Sequence, residues 1–271
     1  MRTIFTPYML RVAIVIPCYN EASRINQEAF RAFLATQPFN IIFVNDGSKD
    51  DTLSVLKNIQ AEFPTQVHII NLEQNRGKAE AVRRGVLKVA CIGNYDIVGF
   101  MDADLSTPFR ELKYFIEAFE DEHKPFVFGS RISRIGARIK RYSYRHYLGR
   151  VIATAISIYL HIPIYDSQCG AKFFYPDFAK RVFREPFVSR WLFDVEIFRR
   201  IALDGLDVET CALELPLHTW IEQGDSKLGL KDILRLPFEF YRIFRHYSRK
   251  VMSPVGLDLS EFARIEYLEE V

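Results

Sequence analysis

The stretch YDIVGFMDADLSTP, Tyr95 to Pro108, decides how the chain is read. An apolar run ends in two carboxylates, Asp102 and Asp104, with only Ala103 between them. A short continuous apolar run bounded by polar residues is the pattern of a strand buried on both faces. The acids then stand at the C-terminal tip of that strand, where the chain leaves the core.

The same grammar repeats toward the N-terminus. VAIVIP, Val12 to Pro17, is a β-branched run closed by proline, and in the segment after it Ile25, Phe30, Phe33 and Leu34 fall at helical spacing. Ile41 to Val44 forms a second strand, followed by the helix pattern DDTLSVLKNIQAEF with Asp50 or Asp51 as its N-cap. VHIINL is a third strand and KAEAVRRGVLKVAC a third helix. Alternating strands and helices of this kind predict βαβ units in a mostly parallel, doubly wound α/β sheet. In such sheets ligands bind beyond the carboxyl ends of the strands. Those ends carry PCYNE, NDGSKDD, EQNRGK and DAD, all of them polar.

Composition narrows the class. The chain has 271 residues, 49% hydrophobic and 26% charged, which is ordinary globular composition with length for one large domain. A net charge of +2 gives no ground for a nucleic-acid partner. The four cysteines, Cys18, Cys91, Cys169 and Cys211, form no CxxC pair, so neither zinc nor a disulfide framework is expected. Reduced thiols suit a cytoplasmic protein. The first residues lack the unbroken apolar core of a signal peptide, Arg11 and Pro7 interrupting it. The apolar stretch Val151 to Tyr165 falls short of the roughly 18 residues a transmembrane helix needs.

The loops offer specific chemistry. A paired carboxylate holds Mg2+ when substrate phosphates and water complete its coordination; the tripeptide by itself equally fits a capped turn. In NDGSKDD, Asp46 can accept from a ribose hydroxyl or a base N–H, Gly47 permits tight backbone geometry, and Ser48 adds a hydroxyl. Arg76, Gly77 and Lys78 stand at a helix N-terminus, where positive charge beside free N–H groups suits an anion. None of these loops is a P-loop or a GxGxxG.

Taken together and in order, PCYNE, VNDGSKDDT, NRGKAEAVRRG, DADLSTP and GSR resemble the family-2 glycosyltransferases of GT-A fold, over roughly Val12 to Arg131. The resemblance implies an inverting transferase that uses a nucleotide-diphosphate sugar and a divalent metal, Mg2+ or Mn2+. It places Pro17, Tyr19, Glu21 and Asp46 at the nucleoside with Lys78 near it, and Asp102 and Asp104 at the metal and diphosphate. DSQCGAKFF (Asp166–Phe174) and SRWLFDVEIF (Ser189–Phe198) resemble the dolichyl-phosphate β-glucosyltransferases and, more loosely, the mannose synthases, with Ala171 where a larger apolar residue is usual. Glucose is then the first expected sugar and mannose the second.

A polyprenyl-phosphate acceptor carries an oxygen already ionised at pH 7, so a strong base is dispensable and cations matter more. Arg131, Lys172 and Lys227 are the candidates, Lys227 in a GDSKLG segment that resembles the family's flexible loop over the phosphates. With an alcohol acceptor Asp194 is the first candidate base and Glu196 the second; the resemblance also allows Asp194 to bind sugar hydroxyls. Trp191 is either a core aromatic or a platform under a sugar ring. His161 is read as structural, and His218 is the better functional candidate of the two.

Two basic, aromatic, amphipathic stretches follow, Arg131 to Tyr165 and Leu228 to Lys250. Such helices lie in a membrane interface and favour anionic lipid, or simply pack on the domain. The expected organisation is a glycosyltransferase domain over 1–230, with a nucleotide half at 11–131 and an acceptor half at 132–230, then a helical extension over 231–271. A soluble transferase acting on a saccharide, and a nucleotide-sugar-binding protein or nucleotidyltransferase, are the rival readings.

Overall fold

The computed structural model describes residues 10–140, 143–223 and 230–248. The first four strands are β1 (Val12–Cys18), β2 (Asn40–Asp46), β3 (Val67–Leu72) and β4 (Ile97–Met101), joined by helices α1 (Gln27–Leu34), α2 (Thr52–Glu62) and α3 (Lys78–Ile92). β1 pairs in parallel with both β2 and β4, and β2 with β3. The strands are buried along nearly their whole length, as their unbroken apolar runs require.

Pro17 does not end β1, which continues to Cys18. The register to β4 stops at Val15 opposite Phe100, so on that side the missing proline N–H interrupts no ladder bond. At α2 the chain assigns the two aspartates differently. Asp51 is the cap residue by position yet makes no side-chain cap bond. Asp50 instead accepts from the Thr52 amide at 3.1 Å and from the Ala22 amide at 3.2 Å.

After β4 come α4 (Leu112–Glu122), β5 (Phe126–Ser130), β6 (Arg138–Lys140), α5 (Ser143–Leu160), β7 (Ala171–Phe174), α6 (Pro176–Phe183), α7 (Phe193–Leu203), α8 (Val208–Cys211), β8 (Ala212–Pro216), β9 (Thr219–Ile221) and α9 (Leu230–Tyr247). The main sheet runs β3-β2-β1-β4-β7-β5-β8. β7 is antiparallel to both of its neighbours, so the sheet is mostly rather than wholly parallel. β6 and β9 form a separate two-stranded ribbon.

Alternation along β1 divides the interior. Ala13 and Val15 face a core built with α3, α6 and α7, while Val12, Ile14 and Ile16 face a second core built with α1, α2 and α4. α9 docks on the first of these through buried Ile243 and Tyr247. It also meets α5, where the Tyr159 ring lies 4.9 Å from Phe240 and 5.9 Å from Phe244. The outer faces of these two helices leave Val151, Ile158, Phe238, Tyr241 and Phe244 exposed. Among the described residues, no helix is long and apolar enough to cross a membrane.

Candidate active site

The C-terminal ends of β1, β2 and β4 and the start of α3 converge on one crevice, and its loops are stitched together by short-range bonds. The Asn20 amide donates to Ser48 Oγ at 3.0 Å, the Lys49 amide to Asn20 Oδ1 at 2.9 Å, and the Glu21 amide to Thr52 Oγ1 at 2.8 Å. Gly47 has φ +62°, and a Cβ there would lie 2.5 Å from the Asn75 backbone nitrogen. Only glycine fits that approach. Ser48 therefore ties two loops together, and Glu21 is buried with its carboxylate 3.3 Å from Arg24.

Asp46, expected at the nucleoside, is also engaged within the protein. It is buried, and its two oxygens accept from the Arg76 and Gly77 amides, each at 2.8 Å. Burial pushes its pKa above the ordinary carboxylate value, against the pull of those two amides. Its work is to clamp the NRGK turn onto β2 and so aim the start of α3.

Lys78, the first residue of α3, reaches Asp102 with Nζ 2.5 Å from Oδ1. Burial opposes its charge, but Asp102, Asp194 and Asp104 outweigh that and hold its pKa above the usual lysine value. Asp104 accepts from the Ser106 amide at 2.9 Å and lies 3.7 Å from Arg24 Nη2. Burial, reinforced by the neighbouring Asp102 charge, raises its pKa. Leu105, the residue after Asp104, adopts φ +52°, a strained turn of the kind found at functional sites. The DSQCGAK segment closes the far side: the Asp102 amide donates to the Gly170 carbonyl at 3.1 Å. A Cβ on Gly170 would sit 2.0 Å from Asp102 Oδ2, so this approach requires glycine.

Two of the expected anion-holding cations are engaged within the protein. Lys172 lies in β7, central in the sheet, and is fully buried. Its Nζ donates to the Cys169 carbonyl at 2.5 Å and pairs with Asp194 Oδ1 at 2.7 Å. It cannot present its charge to a phosphate from there; it sets the position and charge of Asp194. Asp194 lies in the first turn of α7, its pKa raised by burial and held back by Lys172 and Lys78. Arg131 grips Asp166 with both arms of its guanidinium, at 2.6 and 2.8 Å, and lies over the Trp220 ring. Glu214 in turn accepts from the Tyr165 and Asp166 amides at 2.9 and 2.7 Å.

Glu196 is not placed to act as a base. It is fully buried and accepts from the Val188 and Ser189 amides and from the Tyr247 hydroxyl. Trp191 is 43% exposed, which removes it from the core. His218 stacks on Tyr114 with centroids 4.0 Å apart and lies 3.7 Å from Glu111. Lys227 lies outside the described residues.

Sequence reading missed Arg190. Its stem packs across Gly77, at 3.3 Å from where a Cβ would stand, and its charge acts on Asp46. Arg24, Asp166 and Glu214 were also not singled out. Asp166 opens a motif that was recognised, but the approach of Arg24 to Asp104 and the bonds of Glu214 to the Tyr165 and Asp166 amides join residues distant in sequence and leave no local signal.

Among the described residues no three His, Cys, Asp or Glu side chains are grouped to hold a metal alone. Asp102 and Asp104 are partly open, at 37% and 26% side-chain exposure. Two part-exposed carboxylates beside a side-chain-free Gly170 suit a hard cation that takes its remaining ligands from a diphosphate and water.

A mostly parallel sheet with paired acids at the tip of a central strand defines a GT-A glycosyltransferase, and solved structures share the fold. Glucosyl-3-phosphoglycerate synthase from Mycobacterium tuberculosis, in complex with Mn2+ and UDP-glucose, superposes with TM-score 0.64 at 17% identity, covering 92% of this chain and 82% of that one. The chain belongs to glycosyl transferase family 2, whose sequence profile matches residues 13–188. Dolichyl-phosphate beta-glucosyltransferase ALG5C of Trichomonas vaginalis is 31% identical over 96% of this chain and 79% of its own length. The dolichyl-phosphate beta-glucosyltransferase of Saccharomyces cerevisiae is 32% identical over 81% of this chain and 69% of its own.

Proposed function

We propose that this chain transfers a glucosyl group from a nucleotide-diphosphate sugar to a polyprenyl phosphate. The names of its relatives point to that acceptor class, and the carrying observation is the cluster of Lys78, Asp102, Asp104 and Gly170 at the tip of β4. A phosphate oxygen of the acceptor attacks the anomeric carbon. The bond from that carbon to the diphosphate breaks, and the nucleoside diphosphate leaves with the electron pair. Because the attacking oxygen is already ionised, no proton has to move. Attack opposite the leaving group inverts the anomeric configuration.

Asp102 and Asp104 would hold Mg2+ or Mn2+. When bound, that ion neutralises charge growing on the departing diphosphate. Lys78 adds a fixed positive charge at the same edge. Asp194, fixed in place by its pairing with Lys172, is suited to accept from sugar hydroxyls. Arg131, paired with Asp166 and backed by Glu214, is a rigid positioning element for the loop that follows β5 rather than a free cation.

The acceptor lives in lipid, and the outer faces of α5 and α9 suit a membrane surface. Exposed Val151, Ile158, Phe238, Tyr241 and Phe244 lie with Arg242 and Arg245 nearby on α9, a combination that favours an anionic interface. The test supplies UDP-glucose labelled in the sugar, Mn2+ and a polyprenyl phosphate, and counts label partitioning into organic solvent. Lipid-soluble product that disappears in Asp104→Asn, with an unchanged circular dichroism spectrum, supports the reading. Label transferred only to soluble saccharides refutes the acceptor.

A further inference from the structure

The loop 184–192 brings Arg190 against Gly77 at the head of α3, and its stem is anchored by buried side chains. Glu196, one turn into α7, accepts from the Val188 amide at 3.0 Å and the Ser189 amide at 2.7 Å. Ser189 Oγ then accepts from the Trp191 and Leu192 amides at 3.2 and 2.9 Å. Arg200, on the same face of α7, donates to the carbonyls of Val182, Glu185 and Pro186 at 2.7–2.8 Å and lies 4.1 Å over the Phe187 ring. Five backbone groups at and beside the loop's stem are therefore held by two buried side chains of one helix.

Those two side chains meet a third. Tyr247, in the last turn of α9, donates its hydroxyl to Glu196 at 2.7 Å and accepts from Arg200 Nε at 2.9 Å. Tyr247 is 2% exposed, Glu196 0% and Arg200 3%, so the triad is sealed from water and the Tyr247 hydroxyl finds its partners in the other two. At the far end of the loop, the Arg190 stem lies across Gly77, the turn that Asp46 clamps at the head of α3. A half-open cavity of about 360 Å³ lies beside it, lined by Asn75, Arg76, Glu80, Ser189 and Arg190 among others.

We propose that Tyr247, Glu196 and Arg200 form a latch by which the docking of α9 holds Arg190 over Gly77, and that Arg190 there contacts the anionic nucleotide of the donor. Glu196, Arg200 and Tyr247 are positioning residues; Arg190 touches substrate. This rests on the nucleotide-sugar reading above and extends it. The donor side of the cleft is complete only while α9 is seated. The helix that presents Phe238, Tyr241 and Phe244 outward is thus mechanically tied to the loop that reads the nucleotide.

The test measures binding of UDP, in the presence of Mn2+, to the full chain by titration calorimetry. Tyr247→Phe keeps the ring packing and removes the hydroxyl. It is expected to weaken UDP about ten-fold, the scale of roughly 1.4 kcal/mol. Arg190→Ala is expected to weaken UDP at least as much. The double variant should bind no worse than Arg190→Ala alone, because the latch acts only through that residue. Ile243→Ala loosens α9 without touching the triad, and provides a second route if Tyr247→Phe does not fold; its effect should also vanish in the Arg190→Ala background. A general loss of stability would lower the melting temperature but would not produce that non-additivity. UDP affinity within two-fold of wild type in Tyr247→Phe and Ile243→Ala, or effects that multiply with Arg190→Ala, overturns the latch. Wild-type protein that binds neither UDP nor GDP overturns the nucleotide-sugar reading instead.

Discussion

Lys172→Met tests the account of β7 most directly. Methionine keeps much of the stem's volume, so the change removes a charge more than it opens a cavity. Asp194 then keeps its buried site, 5% exposed, without the ammonium 2.7 Å away. Breaking a buried pair from one side costs about 3–5 kcal/mol, since the remaining charge is uncompensated. For a chain of this size each kcal/mol lowers the melting temperature by roughly 2–4 °C, so a fall on the order of 10 °C is expected.

The loss also has a direction in pH. Asp194 already has its pKa raised by burial, with Lys172 the first of the groups opposing that rise. Without Lys172 the folded-state pKa climbs further above the unfolded one. A carboxyl of that kind destabilises the fold increasingly as pH rises from the unfolded to the folded pKa, and costs nothing below both. The deficit against wild type should therefore be larger at pH 8 than at pH 5. Urea unfolding at the two pH values measures it, and Lys172→Met with Asp194→Asn should recover most of the lost stability. A single variant within about 1 kcal/mol of wild type at pH 8 would refute the buried-pair account, because an exposed pair contributes no more than that.

Gly170→Ala should fold yet lose at least about a hundred-fold in kcat/KM, because a Cβ 2.0 Å from Asp102 Oδ2 must displace that carboxylate and misplacements near an ångström carry penalties of that order; initial rates in the transfer assay check it. Cys169 is buried and its thiol pKa is pushed up to about 11, chiefly by burial. At pH 8 only about one molecule in a thousand should carry the thiolate there, so iodoacetamide and mass spectrometry should find Cys169 unmodified in the folded chain and modified in urea. Reversing charge at the exposed Arg138 and Lys140 of β6 should reduce flotation with anionic liposomes and leave neutral-vesicle flotation unchanged; equal flotation would count against electrostatic attraction at this ribbon.

The first four strands were legible because each is a short apolar run closed by turn residues, and a run buried on both faces has no other pattern to show. The acids at the tip of β4 were legible for the same reason, since polar residues abruptly follow a buried strand. Lys172 was misread from the same kind of signal. A lysine near polar residues suggests solvent, yet β7 is inserted antiparallel between β4 and β5, opposite Phe100 and Phe128, which encloses it. Glu196 was weighed as a base because its helix also carries Asp194. Successive residues on a helix face different directions, and the turn between them sends one carboxylate to the cleft and the other to Tyr247. The amphipathic α9 was visible as a pattern, but its division into a docked edge at Ile243 and Tyr247 and an open edge at Phe238 and Tyr241 was not.

Local order alone determined the alternation of strands and helices, the polar loops gathered at one edge of the sheet, and the acidic pair that locates the chemistry. Those features depend on periodicity and on neighbours a few residues apart. The tertiary structure decided which charges face substrate and which face one another: Lys78 against Asp102, Lys172 under Asp194, Arg131 on Asp166, and Tyr247 closing on Glu196. A charge is free or paired according to what lies within about 4 Å of it, and across these distances in sequence only the folded chain sets that.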